Sequence, residues 1–313
     1  MEYRVVTWER VLNSSVTIRL DAVLVAVTED HPRVLTVRPK QRLDGIPSGP
    51  LDVERDKTLE LGLRRWIRQQ AGIEVGYIEQ LYTFGDQNRG IERTPHQERI
   101  VSVAYLGLGI EDSPSIEARW RDIYTLFPWE DHRLHRPPLL DDLLVPRLFA
   151  HMDDVTWTDR VHIAFGAGSM QWDPVRVLDR YELLYQAGLI AEAFHDQGRT
   201  PPASLQTGPA MAYDHRRIVA TAIGRLRGKL TYRPVIFELL PESFTLLTLQ
   251  RTVEALHGIR LHKQNFRRVI ERGGLVEGTG ERTATGGRPA ELFRFRQDVL
   301  RERPRPGVVF PRR

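Results

Sequence analysis

The segment Gly258–Arg296 constrains the fold of the chain more than any other stretch. A basic amphipathic helix is predicted at its start, with Phe266 and Ile270 one turn apart on the apolar face. Gly273-Gly274 ends this helix, because glycine readily adopts the backbone conformation that closes a helix C-terminus. Upstream, Leu246–Leu256 is predicted to form another helix. Two helices joined by a short turn that contains glycine are typical of a helix-turn-helix unit.

The remainder of the same segment is predicted to form a β-hairpin. Leu275-Val276 begins a strand, Gly278–Gly287 forms a turn-rich tip, and Leu292–Phe295 returns as a second strand. This order predicts a winged helix-turn-helix, whose basic helix would enter the major groove of DNA. The side chains expected to contact DNA are Lys263, Gln264, Asn265, Arg267, Arg268, Thr285 and Arg288. The alternative is a helix and hairpin with a basic face that is only solvated.

The charge of the chain is divided unequally along its length. Residues 211–313 carry 21 Lys and Arg against 10 Asp and Glu, whereas residues 1–210 carry 24 against 31. A basic C-terminal third on an acidic body is typical of a nucleic-acid-binding module attached to another domain. We therefore expect a first domain over residues 1–209, a DNA-binding domain over residues 210–300 and a flexible basic tail over residues 301–313.

Composition excludes several other classes of protein. No run of about 18 apolar residues is present, so no membrane-spanning helix is expected. The first residues, MEYRVVTWER, lack the pattern of a signal peptide. The chain has no cysteine, which excludes disulfides and thiolate metal sites. Its histidines do not show the spacing of metal ligands. The sequence thus predicts a cytoplasmic protein without a required cofactor or metal.

The first domain is predicted to be a mixed α/β sandwich. Strands are expected, from alternating or continuous apolar residues, over Val16–Leu20, Ala22–Val27, Val34–Val37, Leu81–Phe84 and Ile100–Leu106. A turn is expected at His31-Pro32. Residues Thr58–Ala71 are predicted to form a helix that Gly72 closes.

The loop and helix over Ile46–Gly76 resemble the Nudix box: Gly, five residues, Glu, seven residues, then Arg-Glu-U-x-Glu-Glu-x-Gly-U with U apolar. Aligned on Gly72-Ile73, the arginine of the pattern falls on Arg65, and the loop from Gly49 is two residues too long. The family's glutamates hold Mg²⁺ against a diphosphate, since hard cations prefer carboxylate oxygens. Those positions are occupied here by Lys57, Trp66, Gln69 and Gln70. The resemblance implies a Nudix-like fold with no catalytic residues.

Residues Met211–His215, followed by a helical segment and the winged helix, resemble the NrtR regulators of NAD metabolism. That family has an Ala-[Phe/Tyr]-Asp-His helix after a Nudix domain, and its winged helix ends in Gly-Arg-Pro-Ala. Gly287–Ala290 gives the second motif here, and Asn265–Arg268 matches the recognition helix. The insert at about residues 130–209 is similar to the related NadQ regulators. It is expected to contain a loop-like stretch over His132–Asp142.

The insert is also expected to contain one long helix over about residues 174–194. Its apolar side chains would either pack on the Nudix-like core or form a dimer contact.

Arg65 is expected to pair with an acidic neighbour as a structural residue.

The resemblance implies a transcriptional regulator, expected to be a repressor of NAD-biosynthesis genes, that binds double-stranded operator DNA as a homodimer. Its effector would be an adenine nucleotide or related metabolite such as ATP, ADP-ribose or NAD. The candidate effector-binding residues are Arg38, Lys40, Arg42, Ser48, Gly49, Arg64, Phe84 and Asp86. The alternatives are an active Nudix hydrolase of ADP-ribose-type substrates, with Glu54 or Glu60 as a replacement carboxylate, and an RNA-associated basic protein.

Overall fold

The structure is a computed structural model that describes residues 16–38, 43–86, 99–115, 117–231, 233–284, 288–296 and 298. Its larger sheet contains β1 (Val16–Thr28), β2 (His31–Val37), β3 (Ser48–Pro50), β4 (Tyr77–Phe84), β5 (Arg99–Leu108) and β6 (Ala118–Asp122). The strand order is β4-β5-β1-β2-β6, and β3 pairs with β1 beside this path. Strands β1 and β5 run parallel, and the other pairs are antiparallel.

Both faces of this sheet are covered, which explains the continuous apolar run in β1. Alternate residues of a strand point to opposite faces. Val23 and Val25 therefore join one buried cluster, while Ala22 and Leu24 join another. The mixed α/β sandwich expected from the sequence is confirmed.

Helix α1 (Leu59–Ala71) packs on the face that contains Leu24. Its ends follow from two local signals. The side chain of Thr58 accepts a hydrogen bond from the backbone N–H of Leu61 at the N-terminus. Gly72, with φ of 70°, adopts the left-handed conformation that ends the helix. The predicted helix is confirmed, with Thr58 as its cap.

The turn predicted at His31-Pro32 is wrong. Strands β1 and β2 are joined by Glu29-Asp30, whose φ values of 51° and 64° are left-handed. Two-residue hairpins require such values when they form a type I′ turn. The two segments expected before this turn form one strand, which continues through the buried Asp21.

A short helix, α2 (Ile123–Leu126), follows β6 and precedes the insert. The insert itself contains a π-helical turn (Leu140–Leu144) and the helices α3 (Val145–His151), α4 (Val155–Phe165), α5 (Val177–Gln186) and α6 (Ala191–His195). The single long helix predicted over residues 174–194 is wrong, because the chain turns at Gly188, where φ is 65°. The stretch predicted as a loop over His132–Asp142 ends inside the π-helical turn. Tyr181 and Leu184 of α5 are fully buried, so this helix packs on the core.

Helix α7 (His215–Leu230) connects the parts of the molecule. Most of its residues are buried, and it packs against α5 and against the sheet. One hydrophobic cluster extends from Val23 of β1 through Leu184 of α5 and Ile223 of α7 to Leu249 in the C-terminal part. The domains thus share a continuous core, and the boundary at residue 210 stays a prediction.

The C-terminal part has a 3₁₀ turn (Val235–Leu239), α8 (Leu246–His257), α9 (Lys263–Gly273), β7 (Val276–Thr283) and β8 (Ala290–Phe295). Phe244 exchanges two backbone hydrogen bonds with Phe293, which adds a short third strand to the hairpin. The winged helix-turn-helix is confirmed. The tip predicted over Gly278–Gly287 is wrong in extent, because β7 continues to Thr283 through a register shift after Gly278.

No helix in the described ranges of the chain is both long enough and apolar enough to cross a membrane.

Candidate nucleic-acid and effector sites

Helix α9 presents a polar and largely basic face to solvent. Phe266 and Ile270 are buried one turn apart, and they hold the helix against the core of the domain. Gly274 ends the helix with φ of 55°. The predicted DNA-contacting residues of this helix are all exposed, namely Lys263, Gln264, Asn265, Arg267 and Arg268. The structure therefore brings them together on one surface.

The cations of this surface have no carboxylate partner among the described residues. Within the part of the chain that the structure describes, Lys263, Arg267 and Arg272 form no ion pair. The guanidinium of Arg268 donates a hydrogen bond of 3.3 Å to Oδ1 of Asn265, which carries no charge. A surface guanidinium without an acidic partner can donate to a phosphate oxygen or to a base edge.

The hairpin beside α9 contributes further positive charge. Arg282 is exposed on β7, and Arg288 is exposed just before β8. Arg294 pairs across the hairpin with Glu277 at 2.8 Å, so its charge is neutralised locally. The predicted contact Thr285 lies outside the described residues.

The predicted effector-binding residues fall into separate groups of contacts. Arg64 pairs with Glu60 within α1 at 2.9 Å, and it donates to the carbonyls of Val75 and Gly76 beyond the end of that helix. The side chain of Phe84 is buried, which agrees with a core role. Lys40 and Arg42 lie outside the described residues. These assignments stay predictions.

Two other predicted effector residues have acidic or basic partners. Asp86, at the end of β4, pairs with Arg217 of α7 at 2.6 Å. Arg38, at the end of β2, pairs with Asp44 at 2.7 Å. Burial works to lower the pKa of Arg217, but the carboxylates of Asp86, Glu182 and Asp214 outweigh it and raise that pKa. Arg217 thus joins α7 to the end of β4, where the predicted effector residues Phe84 and Asp86 lie.

Two helix positions that carry glutamate in the Nudix box anchor strand β3 in this chain. The side-chain amide of Gln70 accepts from the backbone N–H of Ser48 at 2.9 Å and donates to its carbonyl at 2.8 Å. The indole of Trp66 donates to the carbonyl of Pro50 at 2.9 Å. A Cβ on Gly49 would lie 2.1 Å from the Trp66 ring, so only glycine fits there. Ser48 and Gly49 therefore pack against α1.

Arg65 is fixed by Asp56, which precedes α1. It forms two hydrogen bonds, of 2.9 and 2.7 Å, with the carboxylate of Asp56. These bonds hold the pKa of Asp56 below its ordinary value. The expectation that Arg65 pairs with an acidic neighbour is confirmed. Among the described residues, no group of three or more His, Cys, Asp or Glu side chains has the arrangement of a metal site.

The Asp214-His215 pair lies at the start of α7, and His215 contacts the sheet. Nδ1 of His215 accepts from the backbone N–H of Ile46 at 3.1 Å, and Nε2 lies 3.1 Å from Oδ1 of Asp21. Because Nδ1 accepts a hydrogen bond, the ring is neutral and its single proton is on Nε2. Burial favours this neutral form and lowers the pKa of His215, although the Asp21 carboxylate acts in the opposite direction. Burial works to raise the pKa of Asp21, but the His215 bond and the Arg19 charge outweigh it and leave that pKa lowered. This contact fixes α7 on β1.

A buried ionic joint, which sequence reasoning missed, links the insert to the winged helix. We define it as Glu130, Arg180 and Arg227. Both carboxylate oxygens of Glu130 accept from Arg180, at 2.5 and 2.9 Å, and Oε2 also accepts from Arg227 at 2.6 Å. Arg227 of α7 donates as well to the carbonyl of Leu256 in α8 at 2.7 Å. The joint therefore holds the C-terminal end of α8.

The joint is isolated from solvent. Burial works to raise the pKa of Glu130, but the two guanidiniums outweigh it and hold that pKa below its ordinary value. Gly258, which ends α8 with φ of 70°, packs so closely that a Cβ would lie 2.3 Å from the carbonyl oxygen of Glu130. The close packing and the ion pairs together set the position of the helix-turn-helix relative to the insert.

The fold and the exposed basic helix define a Nudix-like domain joined to a winged helix domain. Residues 236–295 match the family model of the NrtR DNA-binding winged helix domain. The chain is also 39% identical over 85 residues to the ADPR responsive transcriptional repressor NtrR of Acinetobacter baylyi. This match covers 27% of the chain and 34% of that protein, so it spans only about a third of the relative's length.

Solved structures extend the similarity of fold over nearly the whole chain. The Shewanella oneidensis NrtR complexed with a 27mer DNA matches with a TM-score of 0.54 and 22% identity, over 91% of this chain and 95% of that one. A MutT/nudix family protein from Enterococcus faecalis matches with a TM-score of 0.51 and 15% identity, over 94% and 95% of the two chains. The expected resemblance to NrtR, with a Nudix-like domain before a winged helix, is confirmed.

Proposed function

We propose that this protein is a cytoplasmic, DNA-binding transcriptional repressor of NAD-biosynthesis genes. A homodimer would bind operator DNA through α9 of each copy. Its DNA affinity would be controlled by an adenine nucleotide or NAD-related effector, of which ADP-ribose is the first to test. The name of the Acinetobacter baylyi relative, an ADPR responsive repressor, supports this choice.

The observation that carries the DNA-binding proposal is the exposed face of α9. It belongs to a segment that matches a DNA-binding winged helix family. Its cations Lys263 and Arg267 are free of ion pairs among the described residues, so no local contact must be broken before they meet a phosphate. Recognition helices of winged helix-turn-helix proteins use such side chains in the major groove.

Control of DNA affinity requires a contact path from the first domain to the winged helix. His215 fixes the start of α7 on β1, and Arg227 near its end bonds α8 through the ionic joint. An effector that favours one position of α7 would therefore favour one position of the helix-turn-helix. In a dimer, such a shift moves the two recognition helices away from the roughly 34–36 Å spacing of operator half-sites.

We propose further that the Nudix-like domain binds its effector without hydrolysing it. Neither Trp66 nor Gln70 supplies the negative charge that a Mg²⁺ ion requires, and both form hydrogen bonds with β3. The alternative, a hydrolase of ADP-ribose-type substrates, requires Mg²⁺-dependent product formation. Its abolition by Glu60→Gln would then identify Glu60 as the replacement carboxylate.

The proposed function is tested by fluorescence anisotropy with labelled duplexes from the promoters of NAD-biosynthesis genes in the same genome. ADP-ribose, ATP and NAD are added separately, with and without Mg²⁺, and each mixture is assayed for cleavage products. We expect specific binding that one of these ligands changes at least tenfold without being cleaved. If none of these ligands changes the affinity for DNA, the proposed control by an effector is wrong. If promoter and random duplexes bind with equal affinity, the proposed recognition of a specific operator is wrong.

A further inference from the structure

Three arginines converge on one carboxylate at the end of β2. We call this group the Asp44 cluster, consisting of Arg38, Arg119, Arg121 and Asp44. Nε of Arg38 lies 2.7 Å from Oδ1 of Asp44, and Nη2 of Arg119 lies 2.6 Å from Oδ2. Arg121 also pairs with Oδ2. Sequence reasoning proposed only Arg38 of this set, because the others come from a distant strand.

The register of the sheet creates the cluster. Arg119 of β6 pairs with Thr36 of β2, and Arg121 pairs with Val34, so the two arginines lie on the same face. Asp44 is placed beside them because the next residue, Gly45, exchanges backbone hydrogen bonds with Val37. The arrangement is thus fixed by backbone pairing.

Positive charge exceeds negative charge in the Asp44 cluster. One carboxylate faces three guanidiniums, which leaves two positive charges without compensation from within the group. Burial and the charges of Arg119 and Arg38 lower the pKa of Arg121 despite the attraction of Asp44. Nε of Arg121 is buried and has no hydrogen-bond partner in the described part of the chain. Arg119 nevertheless remains 47% exposed, so the group is accessible from solvent.

We propose that the Asp44 cluster is a binding site for a phosphate or diphosphate group. Guanidinium donors match phosphate oxygens in geometry, and a divalent anion would compensate the excess charge that Asp44 leaves. The identity of the physiological ligand rests on the proposed function. It would be a nucleoside diphosphate derivative such as ADP-ribose. Free pyrophosphate carries the same chemistry and serves as the minimal probe.

The position of the Asp44 cluster favours a small anion over DNA as its ligand. Arg38 lies eight residues along the strand from Asp30, which contacts Arg251 of α8 at 3.3 Å. A strand rises about 3.3 Å per residue, so the cluster is roughly 25 Å from that contact with the winged helix. A phosphate bound at the Asp44 cluster would therefore lie far from the contact between the β1–β2 turn and α8.

The cluster also contacts the residues at the start of α7. The carbonyl of Asp44 accepts a hydrogen bond from the backbone N–H of Ala212 at 2.8 Å. A Cβ added to Gly45 would lie 2.8 Å from Nδ1 of His215, so the two segments are in close contact. An anion that draws the arginines away from the Asp44 carboxylate would thus act on the residues that fix α7 to the sheet.

Calorimetric titration of the full chain with pyrophosphate, ADP-ribose and adenosine tests the site. We expect Arg119→Gln to raise the Kd for pyrophosphate and for ADP-ribose about tenfold, because one charge-assisted hydrogen bond is lost. Adenosine has no phosphate and should show no such dependence. The matched control is Arg55→Gln, which removes an exposed arginine paired with Asp52 in the same domain. Asp44→Asn removes the competing carboxylate and should tighten pyrophosphate binding.

The outcomes separate this site from the proposed function. If ADP-ribose binds the unaltered chain and Arg119→Gln behaves like Arg55→Gln, the site is overturned while the effector proposal stands. If pyrophosphate binding depends on Arg119 but ADP-ribose neither binds nor changes DNA affinity, the site stands and the effector is wrong. Absence of pyrophosphate binding to the unaltered chain overturns the site. Thermal unfolding of each variant establishes that it is folded before it is titrated.

Discussion

Helices α1 and α9 both carry several arginines, but among the described residues only those of α1 have acidic partners. Arg64 pairs with Glu60, Arg65 with Asp56, and Arg68 with Glu74. On α9, the exposed Arg267 and Arg272 form no ion pair within the described ranges, and Arg268 bonds only an amide oxygen.

This difference separates two uses of the same residue type. The arginines of α1 are neutralised by the domain that contains them, so they have little charge to offer to a ligand. Those of α9 keep their charge at the surface, where DNA phosphates would compensate it. The state of pairing therefore says more about a ligand-binding role than the number of arginines does. The following predictions test that distinction, beginning with the buried ion pairs of the ionic joint.

The largest effect is expected in the buried ionic joint. Glu130→Gln removes the carboxylate that compensates Arg180 and Arg227, and both guanidiniums are buried. Breaking a buried ion pair by removing one partner costs about 3–5 kcal/mol, because an uncompensated charge stays in the interior. We expect a decrease of that size in the free energy of unfolding, measured by urea denaturation with tryptophan fluorescence.

Glu74→Gln is the matched control for this change. It makes the same chemical substitution in an exposed pair with Arg68, and no measurable change in stability is expected. Similar unfolding midpoints for the two variants would contradict the assigned importance of the joint. They would show that water reaches Arg180 and Arg227 in solution.

The second prediction concerns DNA. The double variant Arg267→Ala/Arg268→Ala should weaken binding to the operator duplex about 100-fold, since each lost contact to a base or phosphate is worth roughly 1–3 kcal/mol. Alanine is a good helix former, so α9 should remain intact. Binding is measured by anisotropy at fixed salt, because phosphate contacts depend strongly on ionic strength.

The control for charge is Arg55→Ala/Arg68→Ala, which removes the same number of positive charges from the Nudix-like domain. Both residues are exposed and already paired with carboxylates, so operator affinity should change less than about twofold. Equal losses in the two double variants would mean that total charge, and not the face of α9, determines binding. The comparison between the helices would then fail.

Sequence patterns predicted helices α1 and α9 because their signals are local. Thr58 and Gly72 bound the first helix, and Gly274 ends the second. The hairpin turn at Glu29-Asp30 was not predicted, because two acidic residues with positive φ give no turn signal comparable to glycine. The sequence predicts a helix that continues through Gly188, whereas the left-handed backbone of this residue divides α5 from α6.

The candidate sites divide in the same way. Helical periodicity located the exposed face of α9, because burial of Phe266 and Ile270 fixes which side faces solvent. The ionic joint could not be predicted, since Glu130 is 50 and 97 positions from its two arginines. A single charged residue in a sequence is usually solvated. Only the packing of α5 and α7 against the segment after α2 shows that these three charges are buried together.

A third prediction follows from a buried histidine next to the joint. His257 is in the last turn of α8, and burial, helped by the charge of Arg227, lowers its pKa from 6.5 to about 3. Between these two values the unfolded chain binds a proton that the folded chain does not, so stability falls as pH decreases below 6.5. The contribution is about 1.4 kcal/mol for each pH unit in that range.

Urea denaturation at pH 7, 6 and 5 measures this effect. His132, whose pKa burial lowers to about 4, acts in the same direction. His257→Gln should therefore reduce the acid dependence without abolishing it, whereas His195→Gln, at an exposed position, should leave it unchanged. An acid dependence identical in His257→Gln and the unaltered chain would show that His257 is accessible to protons in the folded state.

The smallest effect is expected from Arg68→Ala on α1. Arg68 and Glu74 are both more than half exposed, and a hydrogen bond of 2.6 Å joins them. Water solvates each charge well in the absence of the other, so an exposed pair of this kind adds little to stability. We expect the midpoint of urea denaturation to stay unchanged within error, at low and at high salt. A clear, salt-dependent loss would contradict this, because it would show that the α1 pairs hold the domain together as well as neutralising its arginines.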